Sequence, residues 1–402
     1  MAIARRDWHW RVAAYLLLTF AVALPAVLPE VANIAFFSFS VVGLLSLSQQ
    51  GQIRLLLHPS IVLPLAGTAL VVVALSITAT DLAGLLPALA LAPICLIAPA
   101  ASLFALGRIR VDDVAMAALA GTFCAAALAA YETTYFGSDR AGFLVGNPIH
   151  FAAVVIALGF LALIGLESTR TWLRRAALAG PLLAIFAVWL SASRGPLLAL
   201  PPMTATAIVV LCFLRLPRRR AILATAAILL ASAAAVVWAW HSPYAEQIPA
   251  LGDIISYLRN GTTTDNSIAT RLVMYESGVR AWFASPWYGQ GADFFARVGT
   301  FVPEGVPYPP YDHLHSDWVD FVAMAGCLGL IAYFLILAAG PAATIKNGPN
   351  RPAAALVGIP ICVGYATMGL TNALIGILTQ TMVLSVILAL LVALTAKPEH
   401  AI

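Results

Sequence analysis

The chain has 402 residues, of which 61% are hydrophobic and only 10% charged, with a formal net charge of +4. So few charges cannot cover the surface of a water-soluble domain of this length, which excludes an ordinary soluble enzyme or binding module. The small positive balance marks membrane orientation, as its placement shows below, and not affinity for nucleic acid.

Apolar runs of roughly 17–25 residues cross a bilayer as helices. Twelve follow one another, over about 12–28, 31–47, 60–78, 82–105, 114–131, 149–167, 176–192, 196–214, 221–240, 316–339, 352–373 and 375–395. Pro and Gly inside several of them are tolerated because neighbouring helices satisfy the freed backbone groups. Arg5, Arg6 and Arg11 ahead of the first run also fit a cleaved signal peptide. Eleven further spans behind it favour a retained helix. The expected fold is an all-α integral membrane protein of about twelve transmembrane helices. It forms a single polytopic domain over residues 1–402, with one large loop, 241–315, containing short helices between the ninth and tenth spans.

Lys and Arg beside a span are held on the cytoplasmic side. With the N-terminus inside, 16 of the 22 basic residues fall in the cytoplasm, and only Arg140, Arg194, Arg259, Arg271, Arg280 and Arg297 fall outside. Of the 18 acidic residues, 13 lie outside. Both termini are then cytoplasmic and the 241–315 loop is extracytoplasmic. All five cysteines (Cys95, Cys124, Cys212, Cys327, Cys362) sit within spans, so neither a disulfide framework nor a metal-ligand spacing is expected. No inverted repeat and no accessory domain at either end is evident.

In this topology even-numbered helices begin at the outer face, presenting unpaired N–H groups and partial positive charge. The sixth opens with Arg140-Ala-Gly-Phe-Leu-Val-Gly-Asn147-Pro148, where Asn147 suits an N-cap and Pro148 the first helical position. The eighth opens with Ser191-Ala-Ser193-Arg194-Gly195-Pro196, again with Pro at a helix start. No Asp or Glu lies within 25 residues of Arg194 on either side. It reads either as an interfacial anchor reaching water and lipid phosphates or as a guanidinium that shares an anion with the helix mouth.

Within the loop, the stretch from Ser267 to Ser285 has amphipathic helical spacing, with Ile268, Leu272, Tyr275, Val279 and Trp282 along one face. Glu276 precedes Arg280 by four residues and Asp293 precedes Arg297 by four, so both arginines are expected in local pairs. Arg271 has no acidic residue at helical-neighbour spacing and is the loop arginine free to serve something else. The Pro-rich run Val306-Pro-Tyr308-Pro-Pro-Tyr311 reads as a stiff approach to the next span.

The tenth span opens with His313-Leu-His315-Ser316-Asp317, where Ser316 is a natural N-cap. A ring beside a helix N-terminus is disfavoured as imidazolium, so His315 suits a general base; the plainer alternative is a histidine bonded to a loop carbonyl. His313 and His315 with Asp312 and Asp317 form a loose cluster, but His-x-His alone is a weak metal signal and no metal is expected.

At these residues the sequence resembles the bacterial O-antigen ligase and polymerase superfamily. His315-Ser-Asp-Trp, followed by an apolar helix with Gly326 and Gly329, is similar to its His-Asn/Ser signature. Arg271-Leu-Val-Met-Tyr275, continuing to Gly289-Gln-Gly291, is similar to its Arg-led helix and Gly-x-Gly turn. Ser193-Arg194-Gly195 and the segment Arg140 to Asn147-Pro148 match two further motifs loosely. Ser316 and Asp320 depart from the pattern, standing where Asn and Gln are common, which weakens any amide role beside the histidine.

The resemblance implies a glycosyltransferase without cofactor or metal. It would move a glycan from undecaprenyl diphosphate, at the periplasmic face of the bacterial inner membrane. Lipid-linked O-antigen is the implied donor, lipid A-core the acceptor, and His315 the base. Arg194, Arg271 and, less directly, Arg140 would hold the diphosphate, with His313, Asn147, Asp317 and Tyr275 as secondary candidates. One large outer loop and a short C-terminal tail favour a ligase over a polymerase or a protein O-oligosaccharyltransferase. A transporter or flippase is the alternative from another class, but few charges lie inside the spans.

Overall fold

The computed structural model describes residues 8–49, 52–241, 255–256, 259–260, 266–303, 313–345 and 350–396. Among them every regular element is helical, so the fold is all-α, as expected. In chain order the helices are α1 (Trp8–Leu18, prolonged by a π turn, Thr19–Ala23), α2 (Pro29–Leu47), α3 (Pro59–Thr78), α4 (Leu82–Leu106), α5 (Val111–Thr134), α6 (Pro148–Glu167) and α7 (Thr171–Leu190). After them come α8 (Arg194–Arg215), α9 (Arg218–His241), α10 (Asn266–Ala284), α11 (Asp317–Ala342), α12 (Arg351–Met368) and α13 (Leu378–Thr395). Ten of these, α2 to α8 and α11 to α13, are long and apolar enough to cross a membrane. The first and ninth expected spans are helical as α1 and α9.

Proline opens α2, α3, α6 and α12, where its missing N–H costs nothing. Helices α6 and α13 bury 83% of their spans and form the centre, whereas α8 buries 22% and lies at the edge. Around α13 stand α2, α4, α6 and α12; α11 runs along α3, α8 along α12, and α7 against α5 and α6.

The tenth span is not one continuous helix. Gly326 has φ +60° and ψ −145°, and α11 is broken there. The loop segment 286–291 enters the break and replaces the interrupted ladder. Gln290 N–H donates to Ala323 O (2.8 Å) and Gly291 N–H to Met324 O (3.0 Å), while Cys327 and Leu328 donate to the carbonyls of Pro286 (2.7 Å) and Trp287 (3.3 Å). At membrane depth each backbone group left unpaired costs several kcal/mol, so irregular backbone persists only where such partners are supplied. Gly289, at φ +69°, lies so close that a Cβ would stand 2.4 Å from Ala325 N. Gly289→Ala is therefore expected to destabilise by about 1–3 kcal/mol from overpacking, with about 1–2 kcal/mol more from left-handed strain. A lowered melting temperature in detergent, with loss of activity, checks it.

Helix α10 packs on the N-terminal part of α11, but not by the face its spacing suggested. Its buried residues are Met274, Ser277, Gly278 and Ala281, while Ile268, Leu272, Val279 and Trp282 are half-buried. A Cβ on Gly278 would meet Val319 Cγ1 at 2.3 Å, so close approach of the two helices selected the small residues rather than the large apolar ones. Met274 and Ala281 join Phe294, Val298, Leu314, Val319 and Ala323 in a second apolar cluster beside the main core. Through this cluster and the inserted 286–291 segment, α10 and α11 hold each other in register.

Candidate active site

The mouths of α6, α8 and α11 meet around a turn that hydropathy had hidden inside the last two spans. Helix α12 ends at Met368 and α13 starts at Leu378, not at about 373 and 375. The turn between them, 369–377, is tied to α11 by polar bonds. Asp317 is fully buried, and its Oδ1 accepts from the N–H groups of Leu374 (2.6 Å) and Ile375 (3.0 Å). The Gly369 carbonyl accepts from Asp317 N–H (2.8 Å) and from the Ser316 hydroxyl (3.0 Å). Ser316 stands at the N-cap position as expected, yet its hydroxyl is spent on that carbonyl and does not cap the helix. Asp320 reaches back instead, accepting from Leu314 N–H at 2.7 Å.

His315 sits on this frame with a left-handed backbone, φ +52°, which in a non-glycine residue costs about 1–2 kcal/mol. The Tyr275 hydroxyl of α10 donates to Leu370 O (2.9 Å) and to His315 O (3.3 Å). Burial pushes the Tyr275 phenol up to about 12; nearby Arg271 pulls it down and Asp320 pushes it further up. The phenol is thus a donor at any physiological pH. His315 Nδ1 lies 3.4 Å from Oδ1 of Asn372, a buried residue of the turn. The His313 ring stands edge-on to the His315 ring at 4.3 Å.

Arg271 lies one helical turn before Tyr275 and is half-buried. Among the described residues its guanidinium makes no hydrogen bond or ion pair, in keeping with its lack of local acidic neighbours. Arg280, by contrast, pairs with Glu276 through Nε (3.1 Å) and Nη2 (2.6 Å), as expected. That pair is about half-exposed, so Arg280→Ala is expected to cost no more than about 1 kcal/mol and to leave transfer nearly intact. A melting curve beside an activity assay checks it. Arg297 does not pair with Asp293; it donates to the Gln290 carbonyl at 3.0 Å, because Asp293 lies at the N-cap of the short Phe294–Arg297 helix while Gln290 belongs to the segment inserted into α11.

Arg194 is the first residue of α8, which opens as a four-residue turn, Arg194–Leu197, before continuing from Leu200. Pro196 is third in that turn, so the proline start belongs to the later part of the helix. Arg194 is exposed, and the neighbouring Gly195 presses on the 369–377 turn, where a Cβ would stand 2.6 Å from Thr371 Oγ1. The buried Ser193 hydroxyl donates to Pro148 O at 3.0 Å and joins the α8 mouth to that of α6. Arg140 braces the same corner through Ser191 O (3.0 Å) and Ser193 Oγ (3.3 Å). Both partners are uncharged oxygens. Asn147 caps α6 as expected, accepting from Ile149 N–H at 2.9 Å.

The structure thus gathers His315, Tyr275 and Asn372 directly, with Arg271 one turn away. It joins Arg194 to them through Gly195 and Thr371, and Arg140 through Ser193. Asp317 faces the scaffold. Asp312 and the run 306–311 lie outside the described residues, and among those described no three His, Cys, Asp or Glu side chains are gathered for a metal. Sequence reading missed Asn372 and Glu132. Glu132 is buried near the end of α5 and accepts from the N–H groups of Gly142, Phe143 (3.2 Å) and Leu144 (2.9 Å), which shapes the loop that carries Arg140. A lone acid at the end of an apolar run was the available signal.

Helices, apolar spans and the gathering of polar groups at three helix mouths define a multi-pass membrane protein with a polar site at one face. Residues 179–334 match the family model described as O-antigen ligase, which bears out the resemblance to the O-antigen ligase and polymerase superfamily. Members of that family are glycosyltransferase-like enzymes of O-antigen assembly. The matched stretch runs from α7 into α11 and includes Arg194, Arg271, Tyr275 and His315; Arg140, Asn147 and Asn372 lie outside it. None of the curated proteins compared matches the chain.

Proposed function

We propose that the chain is an O-antigen ligase, transferring a glycan from undecaprenyl diphosphate to a sugar hydroxyl of lipid A-core. The site faces the periplasm of a bacterial inner membrane, with both termini in the cytoplasm and the 241–315 loop outside. The observation that carries the reading is Arg271: a half-buried guanidinium with no hydrogen bond or ion pair among the described residues, beside the residues that hold His315. A charge left in that state is matched to an anion that arrives with the substrate. Arg194 and Arg140 border the same corner and add positive charge at headgroup level.

In this mechanism the acceptor hydroxyl oxygen attacks the anomeric carbon as the bond to the diphosphate oxygen breaks. The electron pair leaves with the undecaprenyl diphosphate, and His315 takes the hydroxyl proton. Arg271 and Arg194 stabilise charge developing on the leaving group, a task fixed donors perform without reorganisation. The deciding assay supplies purified protein with lipid-linked glycan, with and without lipid A-core. Product on lipid A-core supports the ligase, whereas longer lipid-linked glycan from donor alone would make the chain a polymerase.

A further inference from the structure

We propose that Asn372 is a positioning residue that fixes the tautomer and orientation of the His315 ring, presenting Nε2 to the acceptor hydroxyl. This rests on the reading of His315 as the base. Asn372 is 2% exposed, and its Oδ1 stands 3.4 Å from His315 Nδ1. Asn in a turn ordinarily bonds its own nearby backbone. Here Oδ1 is directed at the imidazole, and Nδ2 has no hydrogen-bond partner among the described residues.

Both ends of the contact are held by one frame. The turn carrying Asn372 is fixed by the Asp317 carboxylate through Leu374 and Ile375, and its Gly369 carbonyl binds Ser316 and Asp317. His315 is held at φ +52° with its carbonyl on the Tyr275 hydroxyl. A strained backbone kept in place by surrounding bonds is an arrangement that aims a side chain. With Nδ1–H donating to Oδ1, the ring lone pair lies on Nε2, the nitrogen that would accept a proton.

The titratable and charged groups near His315 include the His313 ring from the preceding segment, Tyr275 of α10 with Arg271 one turn before it, and Asp320 of α11, which accepts from Leu314 N–H. The 369–377 turn contributes no charge of its own. A carboxylate introduced at residue 372 would therefore act on the imidazole from the Nδ1 side.

The test compares pH profiles of kcat and KM for the full-length protein, Asn372→Asp, Asn372→Ala and His315→Ala, with lipid-linked glycan and lipid A-core. Asn372→Asp favours imidazolium, so its acid limb is expected to move to higher pH by about 1–2 units, with activity retained on the alkaline side. Asn372→Ala is expected to lose about 10–100-fold in kcat at unchanged donor KM, the usual cost of removing the partner that orients a functional histidine. An unshifted acid limb in Asn372→Asp, or its inactivity at every pH, overturns the proposal while an inactive His315→Ala leaves the base reading standing. An active His315→Ala overturns the base reading itself. Should Asn372→Ala fail to fold, the near-isosteric Asp variant carries the test alone.

Discussion

Replacing His315 with Ala should lower the rate of glycan transfer by roughly 10²–10⁴-fold, the usual effect of removing a positioned acid–base group. Binding of the lipid-linked donor should survive, because the arginines proposed to meet the diphosphate are untouched. His313→Ala should be milder: its ring touches the His315 ring edge-on, while His315 Nδ1 stands 3.4 Å from Asn372 of the 369–377 turn. A neutral base also sets the sign of the pH dependence. Activity should be full where the imidazole is unprotonated and fall as pH drops through its titration. Persistence of activity in excess chelator is expected, and activity restored only by a divalent cation would contradict the mechanism. So would an inactive His313 variant beside a working His315 variant.

Arg271→Ala should have an effect of similar size for a different reason. Losing one fixed donor to developing charge costs about 10²–10³-fold in rate. In the proposed mechanism Arg271 meets the donor's own anion as well, so donor binding should weaken too. Arg271→Lys should recover little if two oxygens are held by the planar fork, since an ammonium offers a point charge instead. Arg194→Ala should behave likewise. Equal losses at Arg271 and Arg280 would show that a lack of ion partners does not mark the site, because Arg280 already has Glu276.

Most of this arrangement was legible because membrane helices are written in long apolar runs and sites in the few polar residues between them. Asn147 and Pro148 announced the α6 start through local capping chemistry. Arg271 stood out because its partners, had it any on its own helix, would have been visible three or four residues away. What stayed hidden depends on contacts distant in sequence. Asn372 meets His315 across 57 residues, and hydropathy absorbed it into a neighbouring span. The break in α11 was invisible for the same reason: Ala325, Cys327 and Leu328 flank Gly326 as apolar residues, and the bonds that mend the break come from segment 286–291. The packing face of α10 was misread because periodicity weights large apolar side chains, whereas close helix contact rewards Ser277, Gly278 and Ala281. Likewise Asp293, expected to hold Arg297, lost it to a carbonyl that the inserted segment brings near.

The central claim divides labour between one residue that moves a proton and others that hold an anion. Measuring donor binding and transfer in parallel on His315→Ala and Arg271→Ala tests it most directly, with labelled lipid-linked glycan and protein shown to be folded. The account predicts that His315→Ala binds donor nearly as the parent does but transfers almost none, while Arg271→Ala loses both. Normal transfer by the His315 variant, or undiminished donor binding by the Arg271 variant, would contradict it.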